Sequence, residues 1–208
     1  PSEETHYRAY REVIDTCQGL PIIIRTVDLG ADKYTQSRQR NPERNPFLGC
    51  RSIRLCLQNI PMFKTQIRAI LRTSVDAQLS VMFPLITSIM ELRQAKTVVR
   101  DVIEDLEEDG IEHRDDLPIG MMVETPSAAL MCDSFAKEVD FFSIGTNDLV
   151  QYTLAVDRGN EKVAAMFSPA HPAVLWLVKD IIRTGQRYDV PVSLCGEMAG
   201  DPIYTPLL

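Results

Sequence analysis

Five short, largely apolar runs constrain this chain more than any other feature. They are LPIIIRTV (residues 20–27), LSVMFPLI (79–86), LPIGMMVE (117–124), VDFFSI (139–144) and VPVSL (190–194). A strand with one wet face alternates polar and apolar residues, whereas a strand covered on both faces is apolar along its length, as in a parallel sheet. Segments of helical period separate the runs. Glu3 to Cys17 carries Tyr7, Tyr10, Val13 and Ile14 on one face and ends at Gly19; Met62 to Thr73 repeats Phe63, Ile67, Ile70 and Leu71. A capping box, Ser88 with Glu91, opens a helix from Ile89 to Asp109, another helix is expected from Ser127 to Ala136, and a third starts at Pro172 and runs to Arg187. Strand, helix, strand in repetition predicts right-handed βα units and a parallel sheet.

The polar residues collect where the apolar runs stop. Arg25 sits near the end of the first run, Glu124 closes the third, Asn147 and Asp148 follow the fourth after Gly145, and Cys195 follows the fifth. In a parallel sheet the C-terminal strand ends share one edge, where α/β folds place their sites. A charge inside a buried run is costly without a partner, so Arg25 reads as a site residue. Arg51, after Gly49 in a segment read as either a short strand or the start of a helix, and Arg158 add two further anion-binding candidates. Residues 34–45 read as a long polar loop carrying Arg38, Arg40 and Arg44, of a length that is often functional. The basic residues Lys64, Arg68 and Arg72 read as a solvated helix face, and the acidic run 104–112 as an exposed helix end.

The stretch from Val139 to Asn160, VDFFSIGTNDLVQYTLAVDRGN, is the most informative. It reads as a buried strand emptying into a polar loop, with glycine allowing close backbone approach and a carboxylate, an amide and an arginine nearby. Those groups suit a hard divalent cation bound together with an anionic substrate. Gly-Thr-Asn-Asp is equally an ordinary helix start with an Asx cap.

Composition sets the outer limits. With 208 residues, 45 % hydrophobic and 25 % charged, the chain has the profile of one water-soluble globular domain or a piece of a larger one. A net charge of −7 opposes nucleic-acid binding, and no run approaches the roughly 20 apolar residues of a membrane span, so a cytoplasmic location is expected. Five scattered cysteines without a Cys-x-x-Cys pair argue against a disulfide framework or a zinc site. Cys17, Cys56, Cys132 and Trp176 are assigned to the core. Neither a P-loop nor a Gly-x-Gly-x-x-Gly fingerprint is present, so a phosphate donor should be small. The chain opens on Pro1 and stops at Leu208 as an apolar segment begins, which suggests a fragment.

Read in order, Arg25-Thr26-Val27-Asp28 with Gly30, Asn45 to Arg51, Met82-Phe83-Pro84, Val123 to Pro126, Phe141 to Asn160 and Cys195-Gly196-Glu197 resemble the phosphoenolpyruvate-binding domain of enzyme I. That family comprises the phosphoenolpyruvate–protein phosphotransferases of bacterial sugar uptake. Pyruvate phosphate dikinase and phosphoenolpyruvate synthase share some elements, but the long string from Phe141 and Asn-Pro-Phe-Leu-Gly are closer to enzyme I. The resemblance implies a TIM (β/α)8 barrel, here truncated at both ends and spanning residues 1–208, and a homodimer. It implies that Arg25, Arg51 and Arg158, assisted by Asn147, bind phosphoenolpyruvate, that Glu124 and Asp148 ligate magnesium, and that Cys195 protonates the enolate. The phosphoryl group would pass to a histidine on a separate swivelling domain and then to the phosphocarrier protein HPr. His6, His113 and His171 do not lie in the family's acceptor-histidine context, and Gly30-Ala31 replaces a Gly-Gly pair. A module that binds substrate and dimerises without turnover is the competing expectation.

Overall fold

Two compact units make up the computed structural model, which describes residues 1–30 and 43–207. One comprises residues 1–84 and 90–119, the other residues 85–89 and 120–208. The polar loop of residues 34–45 expected from the sequence, with Arg38 and Arg40, lies mostly outside the described residues.

The first unit begins with α1 (Glu3–Cys17), capped by the Ser2 hydroxyl, which accepts from the Thr5 N–H at 3.2 Å, and closed by Gln18 in the left-handed region. Strand β1 (Ile22–Arg25) follows, then a short 3₁₀ turn (Pro46–Leu48), α2 (Ile53–Gln58), α3 (Ile60–Thr73), β2 (Leu79–Phe83) and α4 (Ile89–Glu108). β1 and β2 are parallel, with Ile22 opposite Leu79 and Arg25 opposite Met82. The predicted apolar face of α4 is the buried one: Leu92, Ala95, Val98, Val99, Val102 and Leu106. Phe63 of α3 meets Phe83 of β2 edge to face at 6.0 Å between ring centroids, an arrangement that aromatic quadrupoles favour. Cys56 is buried here, and desolvation, with Asp28 and Cys50 adding negative potential, pushes its thiol up to about 12, so it acts as a small apolar residue.

Several expectations for this unit need correction. β1 is four residues long rather than eight, and it is not buried on both faces, since Ile23 is 49 % exposed. α1 buries Ile14 but leaves Val13 at the surface. The basic face of α3 is not merely solvated: Lys64 pairs with Asp105 at 2.9 Å, Arg68 with Glu3 and Asp109 at 3.0 and 2.8 Å, and Arg72 with Glu3 at 2.6 Å. Those pairs use part of the acidic run and tie α3 to both α1 and α4. Periodicity reports which face is polar; it does not report whether a second polar face lies against it.

The second unit is built on β3 (Ile119–Val123), β4 (Phe141–Gly145) and β5 (Val192–Cys195), all parallel. Val123 lies opposite Ile144, and Gly145 opposite Cys195. The helix expected over 127–136 is two short ones, α5 (Pro126–Leu130) and α6 (Cys132–Phe135), separated at Met131. α7 (Thr146–Leu154) starts directly at the end of β4, so the predicted loop there is a helix. α8 (Pro172–Tyr188) buries Val174, Leu177, Val178 and Ile181, and Gly185 lets it close on Val192 of β5. Cys132 is buried as expected, Cys17 is half-buried, and Trp176 is at the surface, 58 % exposed, because its position on α8 faces away from the strand. The short helix α9 (Glu197–Gly200) and a 3₁₀ turn (Pro202–Tyr204) follow β5. No helix among the described residues is long and apolar enough to cross a membrane.

The ion pairs at Glu3 are partly shielded, at 27 % side-chain exposure. Glu3→Ala is expected to lower stability by about 1 kcal/mol, more at low salt than at high. Arg8, whose side chain is 78 % exposed, is expected to change it by less than about 0.5 kcal/mol when replaced by Ala. Chemical denaturation at two ionic strengths reads both.

Candidate active site

In the first unit the two arginines singled out in the sequence meet on one carboxylate. Asp28, three residues beyond the end of β1, takes Arg25 Nη1 at 3.2 Å on one oxygen and Arg51 Nη2 at 3.1 Å on the other. The Ser52 hydroxyl also donates to it. Arg51 is buried, lies over the Phe47 ring at 5.8 Å, and presses its backbone against Gly30, whose φ of +127° and lack of a Cβ permit the contact. Arg25 is half-exposed, so its charge reaches the surface while Arg51 is held inside. Gln66 of α3 fixes the turn: its Oε1 accepts from the Val27 N–H at 3.0 Å and its Nε2 donates to the Tyr10 hydroxyl at 3.0 Å. In the sequence Asp28 entered only as the last residue of the Arg25-Thr26-Val27-Asp28 motif, with no role of its own. Its signal is a lone carboxylate directly after an apolar strand that already carries an arginine.

Burial raises the Asp28 carboxyl, but the Ser52 hydroxyl and the Arg51 and Arg25 guanidiniums outweigh it and hold the group below its ordinary value. A depressed carboxylate contributes stability that is complete above its unfolded value, near pH 4, and is lost as pH falls through the lower folded value. Asp28→Asn is therefore expected to be less stable than the parent at pH 7 and to lack that loss on acidification, as pH-dependent thermal unfolding will show.

In the second unit the site is built on three adjacent strand ends. Glu124 follows Val123, Gly145 ends β4 and Cys195 ends β5, so the parallel register sets the carboxylate, the glycine and the thiol side by side. Glu124 is buried, and its Oε1 accepts from the Leu85 N–H at 2.6 Å, which holds Leu85 in the left-handed region at φ 55°. Its Oε2 occupies the space that a Cβ on Gly145 would need, and its own Cβ would lie 2.8 Å from that atom. Gly145 is thus required by the neighbouring carboxylate.

The geometry fixes how the β4–α7 junction presents its polar groups. Gly145 offers no side-chain cap, and Asp148 lies in the first turn of α7, where the positive end of the helix favours a carboxylate. Asp148 is buried, and Arg158 reaches it with Nη2 at 3.8 Å. Asn147 is not the Asx cap of the helix; its Oδ1 accepts from the Glu197 N–H at 3.0 Å, which fastens α7 to the start of α9. Thr146 adds a bond from its hydroxyl to the Cys195 carbonyl at 2.8 Å. The Cys195 thiol is half-buried and donates to the Ile144 carbonyl at 3.4 Å, while the Ser143 hydroxyl donates to the sulfur at 3.5 Å.

The first unit therefore joins Arg25 to Arg51, and the second gathers Glu124, Asn147, Asp148, Arg158 and Cys195. Among the described residues no three His, Cys, Asp or Glu side chains form a protein-only metal cage. Two hard carboxylates are the donor set that suits magnesium completing its shell with water and phosphate oxygens. Sequence reasoning missed Ser143, which looked like an interruption of a strand, and Thr146, which looked like part of a loop.

Gly145→Ala forces overlap with Glu124 and is expected to destabilise the chain by about 1–3 kcal/mol. Urea unfolding of the variant beside the parent measures this.

A model of the family described as PEP-utilising enzyme, PEP-binding domain matches residues 1–208. Over those 208 residues the chain is 50 % identical to a phosphoenolpyruvate-protein phosphotransferase of Geobacillus stearothermophilus and 48 % identical to one of Priestia megaterium. Each alignment covers 100 % of this chain and 36 % of the relative, so the chain spans about a third of these relatives' length. Among solved structures, an HpcH/HpaI aldolase/citrate lyase family protein from Burkholderia cenocepacia J2315 aligns with a TM-score of 0.57 over 99 % of this chain and 71 % of that one. At 15 % identity that likeness concerns the fold alone. With its whole length matched by the family model and half its residues shared with the bacterial phosphotransferases, the chain belongs to the PEP-binding-domain family of the PEP-utilising enzymes.

Proposed function

We propose that this chain is the phosphoenolpyruvate-binding domain of a phosphoenolpyruvate–protein phosphotransferase, a (β/α)8-barrel enzyme that works in the cytoplasm as a homodimer. Phosphoenolpyruvate binds with Mg2+, its phosphoryl group goes to a histidine on a separate swivelling domain and from there to HPr, and pyruvate is released, as the first step of sugar uptake. The observation that carries this reading is the Asp148–Arg158 pair at 3.8 Å on the strand edge that also bears Glu124 and the Cys195 thiol. A pair at that distance is too long for a good hydrogen bond and exchanges readily for a cation at the carboxylate and an anion at the guanidinium.

Each residue has a role that its surroundings support. Glu124 and Asp148 would hold Mg2+, which when bound neutralises the charge on the phosphate. Arg158 and the Asn147 amide take oxygens of the anionic substrate. Asn147 turns its carbonyl oxygen to Glu197, so its NH2 is the end that donates outward. From the first unit, Arg25 and Arg51 are assigned phosphate and carboxylate binding. When the phosphorus–oxygen bond breaks, the electron pair stays with pyruvate enolate, and the Cys195 thiol delivers its proton to the enolate carbon, giving pyruvate and a thiolate. The Ser143 hydroxyl, already donating to that sulfur, stabilises the thiolate left behind. In such transfers positioning and charge neutralisation do most of the catalytic work.

Calorimetric titration of the chain with phosphoenolpyruvate, with and without Mg2+, tests the reading. Mg2+-dependent heat that disappears in Asp148→Ala is the expected result. Binding of equal strength in Asp148→Ala, or a folded parent that binds nothing, would overturn it.

A further inference from the structure

Among the described residues two glutamines are almost completely buried, and their side-chain amides are treated differently by their surroundings. Gln66 and Gln151 are each 4 % exposed. Gln66 has both ends of its amide engaged within the protein, the oxygen by Val27 N–H and the nitrogen by the Tyr10 hydroxyl. Gln151 has one end engaged. Its Oε1 accepts from the Arg158 N–H at 3.1 Å, and its Nε2 is buried with no hydrogen-bond partner.

The orientation of that amide is set by chemistry. A backbone N–H only donates, so the group facing Arg158 must be the carbonyl oxygen, and the NH2 must point the other way. A buried NH2 without an acceptor is costly, and native proteins leave few of them unless something else supplies the acceptor. Gln151 follows Asn147 by four residues and Asp148 by three on α7, so the three share one helix face. Asn147 behaves in the same way: it turns its oxygen to a backbone N–H, that of Glu197, and leaves its NH2 to donate.

Resting on the reading that this site takes phosphoenolpyruvate, we propose that Gln151 is a substrate-binding residue: its Nε2 donates to an oxygen of the anionic substrate while its Oε1 sets the turn that carries Arg158. Residues Ala155 to Arg158 close off α7, with Ala155 in the left-handed region at φ 53° and the Val156 N–H returning to the Gln151 carbonyl at 3.0 Å. Gln151 thus holds the arginine's segment by both its backbone and its side chain, and it adds a neutral donor beside Asn147. A neutral donor suits this place because a further cation would compete with the metal for Asp148.

The test uses two variants of the whole chain, titrated with phosphoenolpyruvate in the presence of Mg2+, with thermal unfolding of each as the control for folding. Gln151→Leu removes both ends of the amide, while Gln151→Glu keeps an acceptor for the Arg158 N–H and removes the donor. The expected result is affinity reduced about tenfold or more in both, with Gln151→Glu at least as weak as Gln151→Leu although its unfolding temperature stays closer to that of the parent. Affinity restored in Gln151→Glu would assign Gln151 a purely structural role and overturn the proposal, as would parental affinity in a folded Gln151→Leu. A folded parent that does not bind phosphoenolpyruvate would instead overturn the functional reading beneath it.

Discussion

Gly145 has no side chain, and the carboxylate of Glu124 lies in the space that a Cβ would fill. From that vacancy the arrangement of the second unit's strand edge follows. Glu124 is able to stay buried there because Leu85 donates to it, and Leu85 donates because the chain after β2 turns through a left-handed residue to reach it. On the other side of the glycine, the register sets Cys195 against Gly145, close enough for the Ile144 carbonyl and the Ser143 hydroxyl to hold the thiol.

Charge is handled in opposite ways in the two units. In the first, one carboxylate binds two arginines and a hydroxyl, so the cluster keeps a net positive charge. In the second, Asp148 and Arg158 approach without a short contact, and the amides of Asn147 and Gln151 spend their oxygens on backbone donors. One arrangement already pairs its charges with each other. The other leaves donors and a carboxylate oriented before any ligand arrives, the kind of preorganisation that lowers the entropy lost on binding.

The strands were legible in the sequence because short apolar runs bounded by polar segments mark them, and β1, β2 and β3 lie within the expected runs while β4 extends one residue beyond its own, to Gly145. α4 and α8 were legible because their apolar stripes are long. What the pattern could not supply was partnership. Lys64, Arg68 and Arg72 form the same polar stripe whether water or α1 and α4 face them, and Trp176 has the same apolar character at the surface as in the core. The residues of the second site were identified by their place after strand ends, yet Ser143, Thr146 and Gln151 were passed over. Their roles depend on which oxygen or nitrogen faces which neighbour, and no spacing rule encodes that. The break at Met131 was hidden for a similar reason: nothing between Ser127 and Ala136 forbids a continuous helix locally.

The junction of β4 and α7 contains no linking residue, since the strand ends at Gly145 and the helix begins at Thr146. An α-helix advances about 100° per residue. One residue inserted between Gly145 and Thr146 would therefore swing Asn147, Asp148 and Gln151 more than a quarter-turn away together, while every side chain remained chemically intact. Most surface connections tolerate changes of length; this one sets a phase angle, and here the count of residues carries as much functional information as their identity.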